Sequence, residues 1–146
     1  MEKVRLELEI NASAEKVFGF LTDPHNIPLV LPGLIENTNI PELPLGVGSQ
    51  FSYTYQMFGV VLRGDVEIDA IERPSVYHFH TTGEAASAWK QHITPRDGKT
   101  LFQLEVEYEP PRSWLEKVKL GVMRRFSDKE AEQYLHNLKT LLELQE

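Results

Sequence analysis

From Gly48 to Tyr108 the chain is a run of stretches in which hydrophobic and polar residues alternate. A Pro110-Pro111 pair closes the run, and a long proline-free helical stretch follows. Period-two alternation marks strands with one buried face, and consecutive strands joined by short turns build an antiparallel sheet. A single long helix after such a sheet buries its apolar stripe against the sheet's inner face. The order therefore predicts an α+β fold: one curved antiparallel sheet of about six strands wrapped around a C-terminal helix. That arrangement encloses an apolar cavity as readily as a solid core, and the cavity is where function should be sought.

Phe51, Tyr53, Tyr55 and Met57 alternate with Ser52, Thr54 and Gln56. After Phe58-Gly59, Leu62, Gly64, Val66, Ile68 and Ala70 alternate with Arg63, Asp65, Glu67 and Asp69. A two-residue loop at Phe58-Gly59 pairs Tyr55 with Leu62 and Tyr53 with Gly64, which puts both apolar sets on one side. Gly64 opposite Tyr53 leaves space on that face or marks a bulge. Tyr77, Phe79 and Thr81, then Trp89, Gln91 and Ile93, then Phe102, Leu104, Val106 and Tyr108 continue the inner face, with turns at Pro74-Ser75, Gly83 and Pro95-Arg-Asp-Gly98. Upstream, Val4, Leu6, Leu8 and Ile10 form a first strand. Ser13 is an N-cap for a helix carrying Val17, Phe18 and Leu21, and Asp23-Pro24 stops it. A second short helical turn holds Ile27 to Leu31, and a weak strand signal covers Leu34 to Ile40.

At 146 residues the chain reads as one domain, 1–146, with an ordinary 41% hydrophobic and 25% charged content. No apolar run approaches a membrane span, and the charged alternation at Met1–Glu7 is unlike a signal peptide. Absence of cysteine removes disulfides, zinc-thiolate sites and thiol nucleophiles, and fits a cytoplasmic location. A net charge of −7 argues against nucleic acid as a partner.

The helical stretch from about Ser113 to Leu144 carries two apolar sets. Leu120, Met123, Ala131, Tyr134, Leu135, Leu138, Leu141 and Leu142 form a stripe along nearly its whole length. Trp114, Leu115, Val118, Val122 and Phe126 form another, roughly 160° away. The expectation is one unbroken helix, leaving the second set as an outward patch for a homodimer or a membrane surface. The alternative is a break near Ser127, where Ser127-Asp-Lys-Glu130 reads as a capping box, with the first half acting as a lid. Six cations between Arg112 and Lys129, against Glu116 and Asp128 alone, make this stretch locally basic.

Ile10-Asn-Ala-Ser-Ala-Glu-Lys-Val-Phe18 leading to Asp23-Pro24, then Leu31-Pro-Gly33, Leu45-Gly-Val-Gly-Ser-Gln-Phe51 and Asp97-Gly-Lys-Thr100, resemble the START-like (SRPBCC) superfamily. Within it the chain is most similar to the polyketide cyclase/dehydrase-type helix-grip proteins. These are caps, turns and glycines, with no catalytic signature among them. Leu29-Val30 departs from relatives that carry a tryptophan there. The resemblance implies two short helices after the first strand, and an apolar cavity holding a lipid, polyketide, isoprenoid or similar small molecule. It covers binders, carriers and a few enzymes, and so does not choose among them.

His78, His80 and His92 share a face, but it is the outer one, and no acidic ligand is placed with them by the alternation. They read as solvated histidines rather than a metal site. Asp65, Glu67, Asp69 and Glu105, Glu107, Glu109 likewise alternate into solvent. There is no nucleophile elbow, P-loop or dinucleotide fingerprint. The candidate ligand-binding residues are Phe51, Tyr53, Tyr55, Leu62, Val66, Tyr77, Phe79, Trp89, Gln91, Phe102 and Leu104 on the sheet, with Leu120 and Met123 on the helix. This wall offers tyrosines, a threonine and a glutamine but no ionisable acid or base, which favours binding over catalysis. The reading is a carrier of a small hydrophobic molecule, without metal or organic cofactor, in a cavity of roughly 300–1,000 Å³. A cyclase or dehydratase using the same cavity, and an interaction module with a filled core, are the alternatives. No catalytic residue is assigned.

Overall fold

The computed structural model describes residues 1–144. Its elements are β1 (Glu2–Ile10), α1 (Ala14–Leu21), a 3₁₀ turn (Ile27–Leu29), β2 (Leu34–Thr38), β3 (Gln50–Met57), β4 (Val60–Glu72), β5 (Val76–Thr81), β6 (Ser87–Arg96), β7 (Lys99–Tyr108), α2 (Arg112–Leu115) and α3 (Leu120–Leu144). The strands form one antiparallel sheet of seven, in the order β1-β7-β6-β5-β4-β3-β2. The weak Leu34 signal is therefore a true edge strand, one more than the six expected. Ser13 caps α1 as anticipated, its hydroxyl accepting from the Lys16 N–H at 3.2 Å.

The β3–β4 hairpin turns on Phe58 and Gly59, both at positive φ, and pairs Tyr55 with Leu62, Tyr53 with Gly64 and Phe51 with Val66. Tyr77 then faces Gln91, Phe79 faces Trp89, and Ile93 faces Phe102. Tyr53 and Phe102 are both buried on the inner face. One expectation fails. A bulge between Ile68 and Ala70 shifts the β4–β5 register, so Ala70 pairs with the outer-face His78, and Ile71 takes the inner position opposite Tyr77.

Against this face α3 lays Tyr134, Leu135, Leu138 and Leu142, all buried with Ile10, Val17, Leu21, Ile68, Ile93 and Phe102. Each such aliphatic or aromatic side chain contributes about 1.5–3 kcal/mol when fully buried. A second cluster of Leu62, Trp114 and Met123 packs with Met57, Phe58, Val60, Val118 and Leu120.

The C-terminal helix is neither unbroken nor broken near Ser127. α3 runs through Ser127 without interruption, and the break lies upstream, between Leu115 and Leu120. A continuous helix would hold Trp114 on the side opposite Met123. Turning the chain at residues 116–119 brings the indole in against Leu62 and Met123, where it is 5% exposed. Burial of that large side chain outweighs the few helical hydrogen bonds lost at the turn. The second apolar set is thereby split: Trp114 and Val118 join the core, and Leu115, Val122 and Phe126 stay exposed.

Candidate functional site

Between the sheet and the helices lies a cavity of about 170 Å³, smaller than the roughly 300–1,000 Å³ usual for ligand pockets. Of the candidate residues, Phe51, Tyr53, Tyr55, Val66, Tyr77, Phe79, Trp89 and Gln91 line it. Leu62, Phe102, Leu104, Leu120 and Met123 do not. Leu62, Leu120 and Met123 belong to the second cluster, while Phe102 and Leu104 are sealed in the main core. Pro111, Trp114, Glu130, Ala131 and Tyr134 complete the wall from the C-terminal segment, and Ile27, Leu31 and Leu34 from the N-terminal half. The exposed lining residues Ala86 and Glu109 mark the mouth, at the β5–β6 turn and the end of β7.

Most polar groups on the sheet side are satisfied within the protein. The Tyr134 hydroxyl donates to Gln91 Oε1 at 2.7 Å, with both residues about 1% exposed. Tyr53 donates to the Thr82 carbonyl at 2.8 Å and accepts the Ala85 N–H at 3.1 Å. Its ring lies over Gly64, so the space expected there is filled. An added Cβ at Gly64 would stand 1.9 Å from the Thr82 oxygen and 2.5 Å from the Tyr53 hydroxyl. Thr81 donates to the Ala85 carbonyl at 2.7 Å, and the Trp89 indole N–H donates to Ser87 at 3.1 Å. Phe79 stacks on Trp89 with centroids 5.5 Å apart. Burial raises the pKa of Tyr77 and of Tyr134, which keeps both phenols neutral.

The helix side differs. Glu130 projects from α3 into the cavity, accepting the Tyr55 hydroxyl on Oε1 and the Gly33 N–H on Oε2, the latter at 2.8 Å. Gly33 makes room for this: a Cβ there would lie 2.6 Å from both Glu130 Oε2 and the Tyr55 ring. Among the described residues Glu130 forms no ion pair. Desolvation raises its pKa, and the two hydrogen bonds oppose the rise only in part. Desolvation, followed by the charge of Glu130, raises Tyr55 well above the ordinary phenol range. Contrary to the sequence reading, the lining includes carboxyls: Glu109, just past β7, stands at the mouth, and Glu130 from α3 lies inside. One sequence signal points to it: Glu130 is seven residues after Met123 and four before Tyr134, inside the apolar stripe.

Beside Tyr55, at 6.2 Å between ring centroids, sits Trp114, whose buried indole N–H has no hydrogen-bond partner among the described residues. On the outer face, His78 and His92 approach to 3.0 Å between Nε2 atoms, and His80 Nδ1 lies 2.8 Å from Asp69. Contrary to the sequence reading, acidic groups do accompany these histidines. Glu67, Asp69 and His80 present ligand atoms within 4.8 Å of one another, on partly to fully exposed side chains.

Residues 1–143 match the family described as polyketide cyclase/dehydrase and lipid transport. No protein of curated function matches. Among solved structures, a Thermus thermophilus protein is similar at TM-score 0.78 and 16% identity, covering 95% of each chain. A Mesorhizobium loti protein is similar at 0.72 and 21%, covering 99% of each. Ginseng major latex-like protein 151 from Panax ginseng is similar at 0.58 and 21%, covering 90% of this chain and 97% of that one. At these identities the likeness is one of fold. With the family match spanning the seven strands, the cavity and the terminal helix, the chain belongs to the polyketide cyclase/dehydrase and lipid-transport family of START-like helix-grip proteins.

Proposed function

We propose that this protein binds and carries a small, mostly apolar molecule in the cavity between the sheet and its C-terminal helices, in the cytoplasm and without metal or organic cofactor. The observation that carries this reading is the aromatic cavity itself, walled by Phe51, Tyr55, Tyr77, Phe79 and Trp89. Its size suits a single substituted ring: an engineered apolar cavity of about 150 Å³ holds benzene. The chain has two tryptophans, Trp89 and Trp114, and both line the cavity, so all its indole emission reports on that site. Titration with 4-ethyltoluene should shift this emission saturably, and native mass spectrometry of protein purified from its host should find a retained small molecule. An unshifted spectrum together with a bare mass would refute the reading. The enzymatic alternative has one observation in its favour, the raised pKa of Glu130 within the cavity.

Loading is proposed to take place at an anionic membrane surface. Leu115, Val122 and Phe126 remain exposed on a stretch that also carries Arg112, Lys117, Lys119, Arg125 and Lys129, next to the cavity-lining Trp114. A twofold dimer through the same patch would set these cations against their own copies. Val122→Glu should abolish co-sedimentation with phosphatidylglycerol vesicles while leaving 4-ethyltoluene binding intact. A wild-type dimer in sedimentation analysis that Val122→Glu dissociates would instead identify the homodimer.

A further inference from the structure

The lining of the cavity carries charge of one sign only. Glu130 lies inside and Glu109 stands at the mouth, while no lysine, arginine or histidine lines it among the described residues. The Glu130 carboxyl is held between the Tyr55 hydroxyl and the Gly33 N–H, each of its oxygens accepting one bond, which is the pattern of a carboxylate. Tyr55 lines the cavity, and so does Leu34, the neighbour of Gly33, so the carboxyl is part of the wall. It forms no ion pair among the described residues. Burial and those two hydrogen bonds account for its shifted pKa, with no cation acting on it. A carboxylate in such a place is costly to the fold unless an opposite charge comes near.

The rest of the lining suits that missing charge. Tyr55, Tyr77, Phe79, Trp89 and Tyr134 line the same space, and an aromatic face attracts a cation through its negative quadrupole. Tyr77 is 3% exposed, and its hydroxyl has no hydrogen-bond partner among the described residues. Unlike the Trp114 nitrogen, that hydroxyl keeps accessible surface, which for so buried a residue lies on the cavity side. A phenol oxygen accepts from an N–H as readily as it donates, so it is no obstacle to an ammonium group. A neutral ligand would leave the charge of Glu130 uncompensated. An anion would add like-charge repulsion that no side chain of the lining offsets. A cation alone neutralises it.

We propose that the cavity selects a cationic ligand, a ring-bearing amine in its ammonium form, whose charge pairs with Glu130 while its ring packs among Tyr77, Phe79 and Trp89. This rests on the cavity being a ligand site, as proposed above, and names the class of molecule it takes.

The experiment is a matched series in which one arm of the ring ends in a methyl, a hydroxyl or an ammonium group: 4-ethyltoluene, 4-methylbenzyl alcohol and 4-methylbenzylamine. The anion is 4-methylbenzoate. Each is titrated calorimetrically at neutral pH and low ionic strength into the full chain. The ammonium should bind roughly tenfold tighter, or more, than either neutral isostere, with the benzoate weakest. In Glu130→Gln the ammonium should lose most of its advantage over the hydrocarbon, and the benzoate should gain on it. A merely structural role for Glu130 would not shift preference in this way. In Glu109→Gln, at the exposed mouth, the advantage should fall less, because water and salt screen that charge. An ammonium that binds no tighter than the hydrocarbon would overturn the inference while leaving the cavity as a ligand site. An advantage that survives Glu130→Gln, or that falls as far in Glu109→Gln, would overturn the assignment to Glu130. Binding of none of the four would overturn both the inference and the reading beneath it. Should Glu130→Gln fold poorly, the wild-type series still decides whether the cavity prefers a cation.

Discussion

Gly64→Ala tests how the cavity wall is held. Gly64 lies in β4 opposite Tyr53, and its missing side chain is what allows the Tyr53 ring to cross it and reach the β5–β6 turn. The added methyl would sit 1.9 Å from the Thr82 carbonyl oxygen, 2.5 Å from the Tyr53 hydroxyl and 2.8 Å from its Cε2. The nearest of these atoms is backbone, and it is pinned. The Thr82 N–H donates to the Asp65 carbonyl at 2.9 Å, and the Glu84 N–H to the Arg63 carbonyl at 3.0 Å. Relief therefore requires that the turn move away or that Tyr53 surrender its hydrogen bonds. Overpacking of this kind costs about 1–3 kcal/mol, and an orphaned buried hydroxyl costs about 1–3 kcal/mol more. Reduced freedom of the unfolded chain offsets about 0.4–1 kcal/mol. A net loss of about 1–5 kcal/mol is expected, against a total stability of about 5–15 kcal/mol for a domain of this kind.

Urea unfolding followed by circular dichroism should show the midpoint falling with an unchanged slope, and the thermal midpoint should drop by roughly 3–15 °C. The same substitution at Gly121, in the first turn of α3 with nothing within 4 Å of the new methyl, provides the control. It should stabilise by about 0.4–1 kcal/mol. Combining Gly64→Ala with Tyr53→Phe should recover only part of the loss, because the Thr82 carbonyl remains in the way. A Gly64→Ala protein within about 0.5 kcal/mol of wild type, inside the scatter of neutral surface changes, would refute the clamp and with it the account of how the cavity mouth is shaped.

Tyr134→Phe should cost about 1–3 kcal/mol in denaturant titrations, because it strands the Gln91 carbonyl oxygen where water does not reach. Glu130→Gln should have the opposite effect and raise the thermal midpoint at neutral pH. The oxygen of the introduced amide can keep the Gly33 N–H, while its nitrogen donates to a Tyr55 hydroxyl turned to accept. The pH dependence has a definite sign. Burial raises the Glu130 pKa above its unfolded value of 4.5, so the folded state binds the proton more tightly. The ionised side chain therefore lowers stability as pH rises through that window, and the cost persists above it. The advantage of Glu130→Gln should be largest above the raised folded value, shrink as pH falls through it, and vanish below the unfolded value. An advantage that grows on acidification would contradict the assignment.

The sheet was legible because its residues report their own environment. Tyr53, Val66, Tyr77, Phe79 and Trp89 alternate with polar neighbours, and the turn at Phe58-Gly59 sets the pairing that puts them on one wall. The bulge at Asp69 was not legible, because the alternation of Asp65, Glu67 and Asp69 runs through it undisturbed; only the pairing with β5 shows the slip. The break before α3 was hidden for a different reason. Glu116-Lys-Val-Lys119 has no glycine or proline, so nothing local stops a helix. The demand comes from Trp114, whose burial against Leu62 and Met123 can be seen only once β4 is in place. Glu130 was masked by its own plausibility, since Ser-x-x-Glu reads as a cap and a charged helical residue reads as solvated.

The polar groups lining the cavity fall into two kinds. Tyr53, Thr81 and Gln91 are polar groups in an apolar wall, yet each has a partner inside the protein, so they hold the wall together and ask nothing of a ligand. The Tyr77 hydroxyl on β5 and the Trp114 indole N–H have no hydrogen-bond partner among the described residues, and Glu130 has no cation. Changing Gln91 or Tyr53 would therefore injure the fold before it altered preference. Glu130→Gln should instead raise stability, as expected for a buried carboxyl with no cation beside it among the described residues.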